Sequence, residues 1–377
     1  ILIYPGITRA WVSNNTIGPC STGVATFTRG CRWTSGGPPL PEGVVLGEMN
    51  RILSMVEAIC PVYPGTPWPE LFLDTRWTSG VREALSLYLR AASLQEASPF
   101  EAVSVFQEAL EALGGTPCPF LEAALRNDLG LLLLETASYE LALEEFSIAL
   151  GIVSSLRSWP LVAMTNVNIG STHMRARNHR AAIAAYEAAV QIFADKGLAV
   201  DLARVHGNIA VVYERMGRYE EALGILAAAR EVFAAERLPL DVAKADHNIG
   251  VILASLGRYE QSVSAISSSC LVFRTEKAWA DLAHALTDLG TAYLEAGAYL
   301  AAVSTYLEAR SIYGQRGMHT DVARVSERLG IMFSMLGMHE EGLSVFELAL
   351  SVYQDHGLLV DEAEVLSLIH ISEPTRP

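Results

Sequence analysis

The chain has 377 residues, of which 51% are hydrophobic and 18% are charged, and its formal net charge at pH 7 is −15. This acidic balance argues against a nucleic-acid partner, because nucleic-acid binding needs clustered lysine and arginine to replace phosphate counterions. No uninterrupted apolar run reaches the roughly 18 residues that a membrane-spanning helix requires, so no membrane span is predicted.

The first 48 residues show no sustained hydrophobic period, either of a strand or of a helix. The first methionine is Met49, and the segment that begins there, MNRILSMVEAIC, has helical spacing. Four prolines between Pro61 and Pro69 then exclude a helix. We expect residues 1–48 to be non-globular read-through of sequence upstream of the start, and residues 49–80 to form an N-terminal helix and a proline-rich linker.

From residue 81 the sequence repeats with a period of 40 residues, most clearly where aspartate opens successive rows at Asp201, Asp241, Asp281 and Asp321. Seven rows occupy residues 81–360, and Asp361 opens an eighth that keeps the pattern to about residue 368. A regular period of this length is typical of a solenoid. Residues 369–377 lose the pattern, and we expect them to be a non-native tail that resembles translated adapter sequence.

Each row predicts a helix, a tight turn and a second helix. Positions are numbered from the first residue of a row, so that Asp281 is position one. Position ten holds a small residue, which is expected where two helices pack closely: Gly130, Gly170, Ala210, Gly250, Gly290 and Gly330. Position seventeen holds a glycine that predicts a left-handed turn at the end of the first helix: Gly217, Gly257, Gly297 and Gly337. Aromatic residues at position 33 are predicted to be core, since they recur at helical spacing: Phe193, Phe233, Phe273, Tyr313 and Tyr353.

The row resembles the tetratricopeptide repeat, whose signature is nearly intact in Leu289, Gly290, Tyr293, Ala302 and Tyr306. The 40-residue period is similar to that of the long-repeat subclass found in Pins-type spindle-orientation adaptors and kinesin light chains. The resemblance covers residues 81–368 and implies an all-α fold, a right-handed α-solenoid of tandem helix-turn-helix repeats. It also implies a non-catalytic scaffold that binds an extended segment of a partner protein in a concave groove.

Positions four, eight and eleven share one side of the first helix, because residues three, four and seven apart are neighbours on a helix surface. The resemblance implies that this side lines the groove and that asparagine at position eight clamps the partner's backbone. The candidate partner-binding residues are Asn168, Arg204, Asn208, Lys244, Asn248, His284, Asp288, Arg324 and Arg328. The basic residues at position four predict an acidic or carboxylate-bearing partner segment. Each of them lies three residues after an aspartate, however, so a simple pairing with that aspartate is the alternative.

No catalytic signature of a nucleotide-binding loop, a metalloprotease or a serine hydrolase is present, so no enzymatic activity, cofactor or small-molecule substrate is predicted. The five cysteines, at positions 20, 31, 60, 118 and 270, have neither zinc-ligand spacing nor the density of a disulfide framework. This cysteine usage favours a reducing, cytoplasmic location. The alternative function is the sensory or regulatory arm of a larger signalling enzyme, with a catalytic domain beyond the eighth repeat.

The assigned register makes a direct prediction about packing at position 29. Replacing Ala309 with leucine forces extra methylene groups into a close helix contact and should lower the free energy of unfolding by roughly 1–3 kcal/mol. Glu308→Ala, at the preceding position of the helix, should cost little. Thermal melts compare the two variants, and equal melting temperatures would contradict the register.

Overall fold

The structure, a computed structural model, describes residues 79–95, 98–114, 118–355, 363 and 365–369. The expectation for residues 1–48 lies outside the described residues, as does that for the helix and linker up to residue 78. Residues 370–377 of the predicted tail are also outside them. The described residues contain α-helices joined by short turns and no strand, which confirms the all-α prediction.

Within residues 79–355, the described part contains fourteen helices that form seven consecutive pairs, and their first residues lie 20 positions apart, at 79, 99, 119 and onward. The helices are α1 Ser79–Leu94, α2 Pro99–Ala112, α3 Pro119–Glu135, α4 Tyr139–Ser155, α5 Trp159–Arg175, α6 His179–Asp195, α7 Ala199–Arg215, α8 Tyr219–Ala235, α9 Pro239–Ser255, α10 Tyr259–Thr275, α11 Trp279–Glu295, α12 Tyr299–Gln315, α13 His319–Met335 and α14 His339–Asp355. None of the helices searched, all within the described part, has the length and apolar character needed to cross a membrane.

The chain divides into two compact units, Ile1–Val212 and Tyr213–Pro377, and the division falls within α7. In the first unit, helices α1 to α6 pack in chain order, and in the second unit α8 to α14 do the same. First helices of successive repeats also touch, as α3 and α5 do in the first unit and α9 and α11 in the second. Each repeat therefore packs against its neighbours in the chain, as expected of a tandem array.

The left-handed turn predicted at position seventeen is present, with positive φ at Gly217, Gly257, Gly297 and Gly337. At the first of these, the N–H of Arg218 donates to the carbonyl of Tyr213 at 2.8 Å, which satisfies a carbonyl at the helix end. The same conformation recurs after other helices without glycine, at Ala137, Arg157, Arg177, Arg237 and Lys277. A side chain raises the cost of this conformation by about 1 kcal/mol, so these turns depend on the packing of the helices around them.

The core confirms the aromatic and alanine positions assigned from the sequence. At position 33, Phe193 is completely buried and Tyr313 is 2% exposed. At position 29, Ala309 has no exposed surface. The largest buried side chains of the first unit include Phe106 and Phe146.

The small residue at position ten is needed because an aromatic or branched side chain of the same repeat's second helix lies directly over it. A Cβ added to Gly290 would lie 2.6 Å from the ring of Tyr306, and one added to Gly170 would lie 2.6 Å from Tyr186. The corresponding distance for Gly250 and Ile266 is 2.4 Å. These separations are far below van der Waals contact, so the first helix is held against the second at a distance that only glycine permits in these repeats.

This contact predicts opposite outcomes for alanine at two helical glycines of the second unit. Gly290→Ala should lower the free energy of unfolding by roughly 1–3 kcal/mol, because the new methyl group must displace the Tyr306 ring. Gly224→Ala, in α8, should raise it by about 0.5–1 kcal/mol, since nothing lies within 4 Å of the added Cβ and alanine favours the helix. Urea unfolding followed by circular dichroism measures both, and a stabilised Gly290→Ala variant would refute the packing assignment.

Candidate functional site

The candidate residues lie on the first-helix face, which we define as positions four, eight and eleven of the first helices from α3 to α13. In the first unit, the residues at position eight are buried, with exposed fractions of 3% for Asp128, 0% for Asn168 and 3% for Asn208. In the second unit, Asn248, Asp288 and Arg328 at the same position are only partly buried. The same row position is thus closed in one unit and accessible in the other.

A chain of buried and partly buried hydrogen bonds joins three successive repeats in the first unit. The hydroxyl of Tyr88 donates to Asp128 Oδ2 at 2.5 Å, and Asn127 Nδ2 donates to Asp128 Oδ1 at 3.1 Å. Asn168 Nδ2 donates in turn to Asn127 Oδ1 at 2.9 Å. The Oδ1 atom of Asn168 is buried without a hydrogen-bond partner among the described residues. These amides therefore hold repeats together, and backbone clamping by Asn168 and Asn208 stays a prediction.

Burial raises the pKa of Asp128 to about 6, from an ordinary value of 3.8. Removal from water disfavours the charged carboxylate, while the hydrogen bonds from Tyr88 and Asn127 favour it and act in the opposite direction. The loss of solvation is the larger effect. The folded first unit therefore favours the neutral form of Asp128 more than the unfolded chain does.

The basic residues at position four pair with aspartates. Arg204 lies 3.6 Å from Asp201, and Arg324 lies 3.0 Å from Asp321. Each of these aspartates is the third residue of its helix, as the bounds of α7 and α13 show. An acidic group within the first turn is favourable because the helix dipole is positive there. Pairing with the preceding aspartate is thus the observed arrangement at both positions.

Lys244, also at position four, pairs differently. Its Nζ atom lies 3.3 Å from Asp281, the first residue of the following row, so this ion pair links α9 to α11. The side chains of Lys244 and Asp281 are 35% and 39% exposed, which leaves both accessible to solvent. Exposed pairs of this kind contribute about 0–1 kcal/mol, so a ligand carboxylate could replace the aspartate at little cost.

Two contacts at position eight also link first helices of the second unit. His247 Nε2 lies 2.9 Å from Asp288 Oδ2, and Arg328 Nη1 donates to Thr291 Oγ1 at 3.1 Å. Asn248 has no hydrogen-bonded side-chain partner among the described residues. Of the predicted clamps, Asn248 is therefore the one with both partial exposure and an uncommitted amide.

Residues at position eleven contribute to packing within the repeat, so this side of the first helix is not purely an open face. Ser171 lies 3.0 Å from the hydroxyl of Tyr186, and Thr291 lies 3.0 Å from that of Tyr306. The side-chain hydroxyl groups at position eleven thus provide a hydrogen-bond partner for the buried tyrosine hydroxyl at position 26. His284, at position four, packs edge-on against Tyr313, with ring centroids 5.5 Å apart.

A pocket of about 270 Å³ opens between α9, α10 and α11 in the second unit. Its lining residues are Val251, Ala254, Ser255, Tyr259, Ile266, Asp288, Thr291, Ala292 and Glu295. Asp288 was a predicted site residue, whereas Ser255, Tyr259 and Glu295 were missed. The recurrence of tyrosine at position nineteen, in Tyr139, Tyr219, Tyr259 and Tyr299, was the available signal. Among the described residues, no group of three or more histidine, cysteine or acidic side chains could hold a metal ion.

Two family models match parts of the sequence. Residues 241–315 match the tetratricopeptide repeat, and residues 163–268 match the soluble NSF attachment protein family. No curated protein has significant sequence similarity to the chain.

Solved structures with a similar fold have low sequence identity. The apo form of RapI has a TM-score of 0.56 and 13% identity, over 72% of this chain and 98% of RapI. The Rap conjugation gene regulator of plasmid pLS20, in complex with the Phr* peptide, has a TM-score of 0.52 and 15% identity, over 77% and 80%. A signal transduction ATPase from Pyrococcus horikoshii with a tetratricopeptide repeat sensor has a TM-score of 0.54 and 13% identity, over 74% and 44%. At these identities, the likeness concerns the fold alone.

The buried carboxyl group of Asp128 predicts a difference in the pH dependence of stability between the wild type and Asp128→Asn. Because its pKa is higher in the folded than in the unfolded chain, its contribution to stability is present below the unfolded value and lost as pH rises through about 6. Relative to Asp128→Asn, the wild type should gain up to about 2–3 kcal/mol between pH 7.5 and 4. Urea unfolding across this range measures the difference.

Glu144→Gln, which removes an exposed carboxyl group from α4, is the matched control and should show no such relative gain. Parallel stability curves for the wild type and Asp128→Asn would show that Asp128 does not titrate in this range.

Proposed function

We propose that this chain, whose array has the tetratricopeptide-repeat fold, is a non-catalytic scaffold that binds an extended segment of a partner protein on its first-helix face. The match to the tetratricopeptide repeat over residues 241–315 lies in the second unit, where the face is accessible. The pLS20 regulator, which has a similar fold, was determined in complex with a peptide, and this supports a peptide as the ligand.

The observation that carries the proposal is the uncommitted amide of Asn248 on α9. A side-chain amide can donate and accept hydrogen bonds at once, which matches the alternating N–H and C=O groups of an extended backbone. Asn248 is partly exposed and has no side-chain partner among the described residues.

The acidic character that we propose for the partner depends on three cations of the second unit. Lys244 and Arg324 form exposed ion pairs with Asp281 and Asp321, which a ligand carboxylate could exchange. Arg328 makes no ion pair within the described part, and its guanidinium group donates to Thr291. A carboxylate would give Arg328 the charge-assisted hydrogen bonds that a neutral hydroxyl does not.

The proposed partner is therefore a protein or peptide, and neither a nucleic acid nor a small-molecule substrate is proposed. The net charge of −15 supports the first exclusion, since phosphate groups would be repelled. A cytoplasmic location, proposed from the cysteine usage of the sequence, suits such an interaction. The clamping roles of Asn168, Asn208 and Asn248 and the contact roles of Arg204 and His284 are part of the same proposal.

A second candidate function is the sensory arm of a larger signalling enzyme. It is favoured by the similarity to the Pyrococcus horikoshii ATPase, in which the matched part amounts to 44% of that chain. In this case the same face would bind the signal, and a separate domain would carry the catalysis. The sequence of a full-length transcript that encodes a catalytic domain after the array would decide for this candidate.

Selection of a phage-displayed random dodecapeptide library on the full chain tests the proposal. Enriched peptides should be rich in aspartate and glutamate, and their binding should weaken with salt, because exposed charges are screened over about 8–10 Å at physiological ionic strength. Lys244→Glu/Arg324→Glu/Arg328→Glu should lose them while keeping its helical circular dichroism. Asn248→Ala should weaken even neutral peptides by roughly 1 kcal/mol.

Glu231→Gln, on the exposed surface of α8, is the control and should select the same peptides as the wild type. The absence of any enriched sequence on the wild-type chain would reject the scaffold proposal. If the selected peptides bind the triple variant as well as they bind the wild type, the binding surface does not lie on this face.

A further inference from the structure

The pocket between α9, α10 and α11 combines an apolar floor with a negatively charged rim. Val251, Ile266 and Ala292 contribute apolar groups, and Ile266 and Ala292 are almost completely buried. Asp288 and Glu295 are the charged residues of the lining, and both are acidic. Of the lining residues only Asp288 was a predicted site residue, because the lining comes from three helices.

The volume of the pocket limits what it can hold. Pockets for drug-sized ligands have about 300–1,000 Å³, whereas this one has about 270 Å³. It is therefore suited to a single side chain that enters from the first-helix face, where Val251 and Thr291 occupy position eleven of successive rows.

The negative charge of the rim is only partly compensated. Asp288 Oδ2 lies 2.9 Å from His247, which leaves Oδ1 for another partner. Glu295 is exposed and has no ion-pair or hydrogen-bond partner within the described part. Burial raises the pKa of Glu214 at the end of α7, while the charge of Arg215 lowers it and that of Asp288 raises it.

One cation lies beside the pocket without neutralising it. The guanidinium group of Arg328 donates to Thr291 on the pocket wall, but it forms no ion pair with Asp288 or Glu295 within the described residues. Arg328 thus lies at the edge of the pocket, where it can bind a carboxylate, while Asp288 and Glu295 keep the pocket lining negatively charged. One partner segment could therefore contact the cation with an acidic residue and the carboxylates with a basic residue.

We propose that this pocket binds the side chain of one lysine or arginine of the partner segment. The proposal rests on the proposed function, since it assigns a specificity pocket within the same peptide-binding face. The methylene stem lies along Val251 and Ile266, and the cationic head contacts the carboxylates of Asp288 and Glu295. The ring of Tyr259 on the pocket wall offers a cation–π contact. The partner segment is then acidic in general but has one required basic position.

The test identifies the basic position of the partner segment from the sequences of selected peptides. The random dodecapeptide library, selected on the full wild-type chain, should yield sequences that share one lysine or arginine among acidic residues. A synthetic peptide with the consensus sequence is then compared with the same peptide in which norleucine replaces the basic residue. Loss of the charge should weaken binding to the wild type about tenfold, as expected for one charge-assisted hydrogen bond.

Two variants assign the effect to the pocket. On Asp288→Asn/Glu295→Gln, which keeps the shape of the rim, the lysine and norleucine peptides should bind equally. Glu295→Lys should reverse the selection and enrich an acidic residue at that position. Glu231→Gln is again the control, with the tenfold preference unchanged.

The outcomes separate this inference from the proposed function. Enriched peptides that lack a shared basic position, or a tenfold preference that survives in the double variant, would overturn the pocket assignment and leave the scaffold function standing. A library with no enriched peptides at all would overturn both. Circular dichroism at the binding temperature confirms that each variant is folded.

Discussion

The contact on which the rest of the fold depends is the approach of a second-helix side chain to the glycine of the first helix. The ring of Tyr306 would lie 2.6 Å from a Cβ on Gly290, so the two helices meet where the first has no side chain. The hydroxyl group of the same ring has Thr291 as its hydrogen-bond partner, so it does not need water. This one interaction fixes both the distance and the rotation of the first helix, and it recurs through the array.

With the glycine side of the first helix occupied, positions four, seven and eight are left to meet the neighbouring first helices. In the second unit, the contacts from His247 to Asp288 and from Lys244 to Asp281 join residues in successive repeats. In the first unit the hydrogen bond from Tyr88 to Asp128 is buried, and the one from Asn168 to Asn127 is partly buried. The side that binds ligands in our proposal is therefore also the side that joins repeats, and its accessibility depends on local side-chain size.

Charge pairing within the face limits how strongly it can favour an acidic partner. The aspartate in the first turn of α7 and of α13 is favoured by the helix dipole, and it lies within reach of the arginine three positions later. A ligand carboxylate must therefore compete with Asp281 or Asp321 for its cation. Specificity can instead come from Arg328, which has a hydrogen bond but no ion pair, and from Asn248 and Glu295, whose side chains have no partner among the described residues.

The sequence alone determined the period, the helix pairs, the glycine turns and the buried aromatic positions, because each follows from spacing along one helix or from the conformation of one residue. It also identified the row positions that carry the candidate site. Only the tertiary structure decided that Asn168 and Asn208 are buried while Asn248 is accessible, since burial depends on side chains 40 residues away in neighbouring repeats. The same holds for the pocket, in which Tyr259 of α10 comes together with Asp288 and Glu295 of α11, because these two helices belong to successive rows.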